Sequence, residues 1–157
     1  ALQGEDMLRS LLSALHLARE ALSDQHGVRK PLFLKIAPDL EQNDIQLIAD
    51  LLIEFGIDAI IATNTTIARD SVQGLEFGEE AGGLSGSPVR SASTKVIQSL
   101  KTHLGNTIPI IGVGGILSGK DAIEKVAAGA SLIQVYSGLI YRGPKLISEC
   151  ATALYGR

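Results

Sequence analysis

Apolar and polar positions along the chain follow two spacings. Over residues 5–23, Leu8, Leu11, Leu12, Leu15 and Ala18 recur at three- and four-residue intervals, which places them on one face of a helix. Gly27 and Pro31 close that segment. Residues 32–37 run Leu-Phe-Leu-Lys-Ile-Ala, the nearly continuous apolar stretch of a buried parallel strand. Asp39, with Gln42 three residues on, predicts the N-cap of a second helix. Ile48, Leu51, Leu52 and Phe55 form that helix's stripe, and Gly56 ends it. Residues 58–62 predict a second strand, and a polar, Gly-rich stretch follows from about Thr63 to Ser91. A helix fits 92–104 and a third strand fits Ile108–Val113. Ser118 and Asp121 make a capping-box pattern before a helix ending at Gly129, and Leu132–Tyr136 reads as the fourth strand. Gly143 and Pro144 open a last helix to about Leu154.

Strand and helix thus alternate four times after a leading helix, a pattern that predicts a parallel α/β sheet. The apolar fraction of 45%, with only 4% aromatic, suits strands wrapped by helices. A complete TIM (β/α)8 barrel takes roughly 250 residues. At 157 residues, the chain is expected to be one partial domain, half of such a barrel. Half a barrel leaves open sheet edges, so the expected physical unit includes a missing half or a second copy. The first residue is Ala, which processing, a cleaved tag or truncation would each explain.

Charge and cysteine content narrow the function classes. The formal net charge is −3, and no run of Lys or Arg exists to recruit nucleic acid or anionic lipid. A single cysteine, Cys150, leaves no disulfide framework or Cys-rich metal site; a packed thiol in the last helix is expected. His16, His26 and His103 lack metal-ligand spacing. No apolar run reaches the roughly 18 residues of a membrane span, and no signal peptide is visible.

Candidate chemistry gathers where strands end. Ile110-Ile111-Gly112-Val113-Gly114-Gly115 and Leu132-Ile133-Gln134-Val135-Tyr136-Ser137-Gly138 are successive strands running into small or hydroxyl residues. In the last two units of a barrel, such backbone amides hold a phosphate. Tyr136 has a second reading as a core aromatic offering only its amide. Lys35, inside the first strand, is expected to point inward and stabilise an anion; the plain alternative is a lysine reaching solvent. Thr63-Asn64-Thr65-Thr66 follows the second strand, where βα loops present catalytic groups, although an ordinary polar turn fits too. Gly82-Gly83-Leu84-Ser85-Gly86 allows close backbone approach to a ligand or makes a flexible turn.

Taken together, Lys35-Ile36-Ala37-Pro38-Asp39-Leu40, Thr63-Asn64-Thr65-Thr66, Gly82-Gly83-Leu84-Ser85-Gly86, Gly112-Val113-Gly114-Gly115 and Gln134-Val135-Tyr136-Ser137-Gly138 resemble dihydroorotate dehydrogenase of the class 2, quinone-dependent branch. The resemblance spans essentially the whole chain and implies its C-terminal half. It implies an FMN enzyme that oxidises dihydroorotate to orotate in pyrimidine synthesis. Lys35 and Thr63 would then contact the flavin, Asn64 and Thr65 the dihydroorotate or orotate. Ser85, Gly86, Gly114, Gly115, Tyr136 and Ser137 would hold the FMN, the last four mainly at its phosphate. The family's Ser general base and its quinone site would lie upstream, so no catalytic residue is expected in this chain and the isolated half is expected to be inactive. The family also implies a peripheral place at the inner membrane, on the cytoplasmic face in a bacterium or in mitochondria in a eukaryote. A non-catalytic flavin- or phosphate-binding half-barrel that pairs with another chain is the alternative.

Overall fold

A computed structural model describes residues 5–155. Four strands, β1 (Phe33–Ile36), β2 (Ala59–Ala62), β3 (Ile110–Val113) and β4 (Leu132–Gln134), form a parallel sheet in chain order. Helix α1 (Glu5–His26) precedes β1. Helices α2 (Gln42–Glu54), α3 (Arg90–Leu104) and α4 (Gly119–Ala127) follow β1, β2 and β3, and α5 (Ser137–Arg142) and α6 (Lys145–Tyr155) follow β4. This is the α/β alternation expected from the sequence, and it matches part of a TIM barrel wall.

Strand register decides which side chains can meet. Lys35, Ile61, Ile111 and Leu132 lie in one row across the sheet. Because successive residues face opposite sides, Leu34, Ile60, Ile110 and their neighbours Ile36, Ala62 and Gly112 project the other way. That second face is the core. Ile36, Ile60, Ala62 and Ile110 are buried against Ile45, Ile48 and Leu52 of α2 and Val96, Ile97 and Leu100 of α3. Among the described residues no element covers the first face, and Phe33 (46% exposed) and Leu132 (62%) stand open. A smaller cluster of Ile116, Ala122, Leu146 and Cys150 joins α4 to α6. The Cys150 thiol is buried as expected, and burial pushes its pKa up. Among the described residues, no helix is long and apolar enough to cross a membrane.

The opposite end of the sheet is a structural anchor. Asp58, just before β2, accepts from Arg19 (3.0 Å), Arg29 (2.7 Å) and the Leu32 N–H (2.8 Å). Arg19, itself buried, also reaches the Gly56 carbonyl at 3.1 Å, so α1 is tied to the α2–β2 turn. Burial raises the Asp58 carboxyl, but the Arg29 and Leu32 hydrogen bonds and both guanidinium charges outweigh it and leave it below the ordinary range.

Three local expectations are corrected. Asp39 does not cap α2: Glu41 does, in a capping box with Asp44. The Asp39 carboxylate is turned instead to the Thr66 hydroxyl and the Ile67 N–H. The segment 137–142, read as connection, is helix α5; Gly143, at φ +66°, ends it and Pro144 precedes α6. Six residues are too few to display a helical period. Strand β4 stops at Gln134, so Val135 and Tyr136 belong to the turn into α5. The Ser118–Asp121 cap of α4 forms as expected, the Ser118 hydroxyl accepting from the Asp121 N–H.

Candidate functional site

The C-terminal ends of all four strands open on one cleft of about 260 Å³. β1 contributes Lys35. The turn after β2 contributes Thr63, Asn64 and Thr65, and the long loop returns Ser85, Gly86 and Val89. The turn after β3 contributes Gly114, Gly115 and Ile116, and the β4–α5 turn contributes Gln134 through Gly138. All ten residues that the family resemblance assigns to cofactor or substrate therefore line this cleft, while Thr66, Gly82, Gly83 and Gly112 of the same motifs do not. The motifs are separated by up to a hundred positions in the chain, and parallel strands ending at one level bring them together.

Each side chain has a local reason for its place. Lys35 projects from the uncovered face and makes no side-chain hydrogen bond or ion pair among the described residues. Its neighbours Leu34 and Ile36 turn to the core, so strand alternation alone aims the ammonium into the cleft. Thr63 is buried: its N–H continues the ladder to the Val113 carbonyl (3.0 Å) and its hydroxyl donates to the Asn64 carbonyl. The Asn64 N–H donates to the Ile36 carbonyl at 2.7 Å, leaving its amide side chain exposed at the mouth. Ser137 donates to Ser85 at 2.8 Å, which links the β4–α5 turn to the long loop. Tyr136 is 75% exposed, which corrects the reading of it as a core aromatic.

The glycines divide into two roles. Gly114 and Gly115 have φ of +112° and +72°, which L side chains rarely adopt. At Gly115 a Cβ would come within 2.3 Å of the Arg90 Cβ, so the turn packs directly on the start of α3. Gly112, part of the same sequence motif, faces away from the cleft. A Cβ there would meet Ala130, Ile97 and Lys125 at 2.9, 3.1 and 3.3 Å, and its task is close helix–sheet approach.

The lining suits an anion with a phosphate. It offers an ammonium, hydroxyls and backbone amides, and no carboxylate. Among the described residues, no protein acceptor takes the N–H of Gly114, Gly115, Ser137 or Gly138. Amides left unpaired in this way call for an outside acceptor.

Beneath the β3–α4 turn, the Ser118–Asp121 cap is part of a larger polar cluster, and the share of Arg90, Thr94 and Lys125 in it is not legible in the sequence. Asp121 accepts from the Leu117 N–H (3.0 Å), Ser118 (2.8 Å) and Arg90 (2.5 Å). Burial raises its carboxyl, but these hydrogen bonds and the Arg90 charge hold it below the ordinary range. Lys125, fully buried, donates to the Arg90 carbonyl and to Thr94, both at 2.8 Å. Burial draws its ammonium down to about 8. The signal was its position: Gly119, Ala122 and Lys125 share the buried face of α4 at three-residue spacing.

Fold and cleft define a class: part of a βα barrel with a polar, carboxylate-free cleft at its strand ends. The sequence model of the family described as dihydroorotate dehydrogenase matches residues 2–156. A relative named dihydroorotate dehydrogenase (quinone) from Polynucleobacter necessarius is 73% identical over 98% of this chain and 45% of its own length. One of the same name from Thiobacillus denitrificans is 61% identical over the same shares. The crystal structure of the Eimeria tenella dihydroorotate dehydrogenase in complex with ferulenol superposes with a TM-score of 0.89 at 37% identity. It covers 98% of this chain and 44% of that one. The chain belongs to the dihydroorotate dehydrogenase family, and spans about half the length of the relatives it matches.

Proposed function

We propose that this chain is the FMN-binding, C-terminal half of a quinone-linked dihydroorotate dehydrogenase, the enzyme that oxidises dihydroorotate to orotate for pyrimidine synthesis. The observation that carries the reading is the carboxylate-free cleft with four unclaimed amides at the ends of β3 and β4, facing Lys35 across the sheet. Gly114, Gly115, Tyr136 and Ser137 hold the phosphate, and Ser85 and Gly86 close on it from the long loop. Lys35 and Thr63 lie along the flavin ring, where the ammonium stabilises negative charge. Asn64 and Thr65 bind dihydroorotate or orotate; an exposed amide can donate to a carboxylate and accept from a ring N–H. When bound, FMN supplies a two-electron acceptor.

No group in this chain is proposed to remove the substrate proton. Ser85 and Ser137 are paired with each other, Ser93 donates to the Val113 carbonyl and Ser118 to Asp121. Of these only Ser118 has a basic partner, and it does not line the cleft; the cleft serines have none that would activate them. The base belongs to the other half of the barrel and the quinone site to N-terminal helices upstream; that other half also covers the sheet's open face and edges, with a second copy of this chain as the other candidate cover. Attachment to the inner membrane goes with that other half.

The test is an FMN titration of the chain, followed by flavin fluorescence. Saturable binding is expected, and Ser137→Asp, which sets a carboxylate at the phosphate, should abolish it with the far-UV spectrum unchanged. Binding that Ser137→Asp leaves intact overturns the placement of the phosphate. A second reading, a flavin-binding half that acts only as a pairing module, is favoured by the open sheet face. It predicts FMN binding that survives with no gain of turnover when the other half is supplied.

A further inference from the structure

We propose that Arg69 is a positioning residue that holds the substrate and cofactor segments of the cleft as one unit; the ligand identities rest on the reading above. Between β2 and α3 the chain makes a long excursion, and loops of this length lose much conformational freedom when ordered. Thr66 and Leu84 pair across its neck through two backbone hydrogen bonds, of 3.0 and 2.8 Å. On one side of that bridge sit Asn64 and Thr65; on the other sit Ser85 and Gly86. A bridge of one residue pair is marginal alone.

Arg69 reinforces it. Its guanidinium donates to the carbonyls of Thr66 (3.4 Å) and Ala68 (3.2 Å) on the outgoing limb, and to Glu80 (3.1 Å) and Gly82 (2.5 Å) on the returning limb. No carboxylate pairs with it among the described residues. The fork is used wholly for spanning backbone: its two terminal nitrogens, held apart in one plane, each serve one limb, whereas a lysine ammonium would have to reach both limbs from one nitrogen. The returning limb in turn shapes the substrate side. A Cβ on Gly83 would fall 1.9 Å from the Thr65 hydroxyl, so Thr65 lies directly on the strand that Arg69 secures. Asp39 braces the outgoing limb through the Thr66 hydroxyl and the Ile67 N–H, and both of those partners lie on that limb. Among the described residues, Arg69 alone crosses between them by side-chain hydrogen bonds.

The experiment compares wild type, Arg69→Ala and Arg69→Lys by amide hydrogen exchange and by FMN and orotate titration. Both variants should lose protection at the Thr66 and Leu84 amides and lose affinity for both ligands by about tenfold, the equivalent of one charge-assisted hydrogen bond. The melting temperature should stay close to wild type, because the core clusters do not include this loop. Free guanidinium ion at low concentration should restore much of the affinity to Arg69→Ala, which a general loss of packing would not allow. Unchanged protection at Thr66 and Leu84 overturns the proposal, and so does lost protection with unchanged affinity for both ligands. If wild type binds neither ligand, the flavin reading fails, and the exchange data alone decide whether Arg69 closes the loop.

Discussion

Lys125 is the residue whose behaviour the sequence conceals most. A lysine in a helix ordinarily extends to water, yet this one lies between α3 and α4 and holds the carbonyl that begins α3. Burial, reinforced by the charge of Arg90 and opposed by Glu124 and Asp121, brings its ammonium down to about 8. Below that pH both folded and unfolded chains hold the proton, and the folded state bears the full cost of a buried ammonium. Between about 8 and the ordinary value of 10.5, the unfolded chain is still protonated while the folded one is not. The stability owed to this group therefore rises with pH across that window. Denaturant unfolding at about pH 7 and about pH 10 should show wild type gaining relative to Lys125→Met, by an amount on the order of 3 kcal/mol at most. A difference between the two proteins that does not change with pH would contradict it. Lys35 is the contrasting lysine: strand alternation alone placed it in the cleft, and the sequence was sufficient to see that.

At the level of elements, short strands and their helices were legible because burial imposes its period on them. Boundaries were not, because caps depend on where a side chain finds a partner. Asp39 has the chemistry of an N-cap, but Thr66, 27 residues later, takes its carboxylate, and Glu41 caps α2 instead. Gly112 shows the same limit from the other direction. Its neighbours in sequence suggested a phosphate loop, while its position in β3 turns it to the helices. Gly112→Val should therefore destabilise the fold by about 1–3 kcal/mol through overpacking against Ile97, Ala130 and Lys125. FMN affinity, measured where the variant is folded, should hold. A variant that keeps its stability and loses the ligand would place Gly112 at the site after all.

For the whole molecule the question is what half a barrel does. The sheet is complete enough to align the ends of β1 to β4, and the cleft forms from this chain's own loops. Among the described residues, one face and both edges of the sheet stay open, with Phe33 and Leu132 exposed there. No serine in the cleft has a partner able to make it a base, so the chain with FMN should oxidise dihydroorotate no faster than free FMN does. Stopped-flow or steady-state assay of the purified chain checks this, and clear turnover above the free cofactor would show that the site is self-sufficient. The sequence by itself determined the alternation of strand and helix, the level at which polar motifs emerge, and through five motifs the family, because these are written in local period and residue type. Only the tertiary structure decided that those motifs line one cleft, that Gly112 is a packing residue, and that Arg69, Asp121 and Lys125 support the loops. Those facts depend on contacts between residues tens of positions apart, which strand register and helix packing create and no local pattern records.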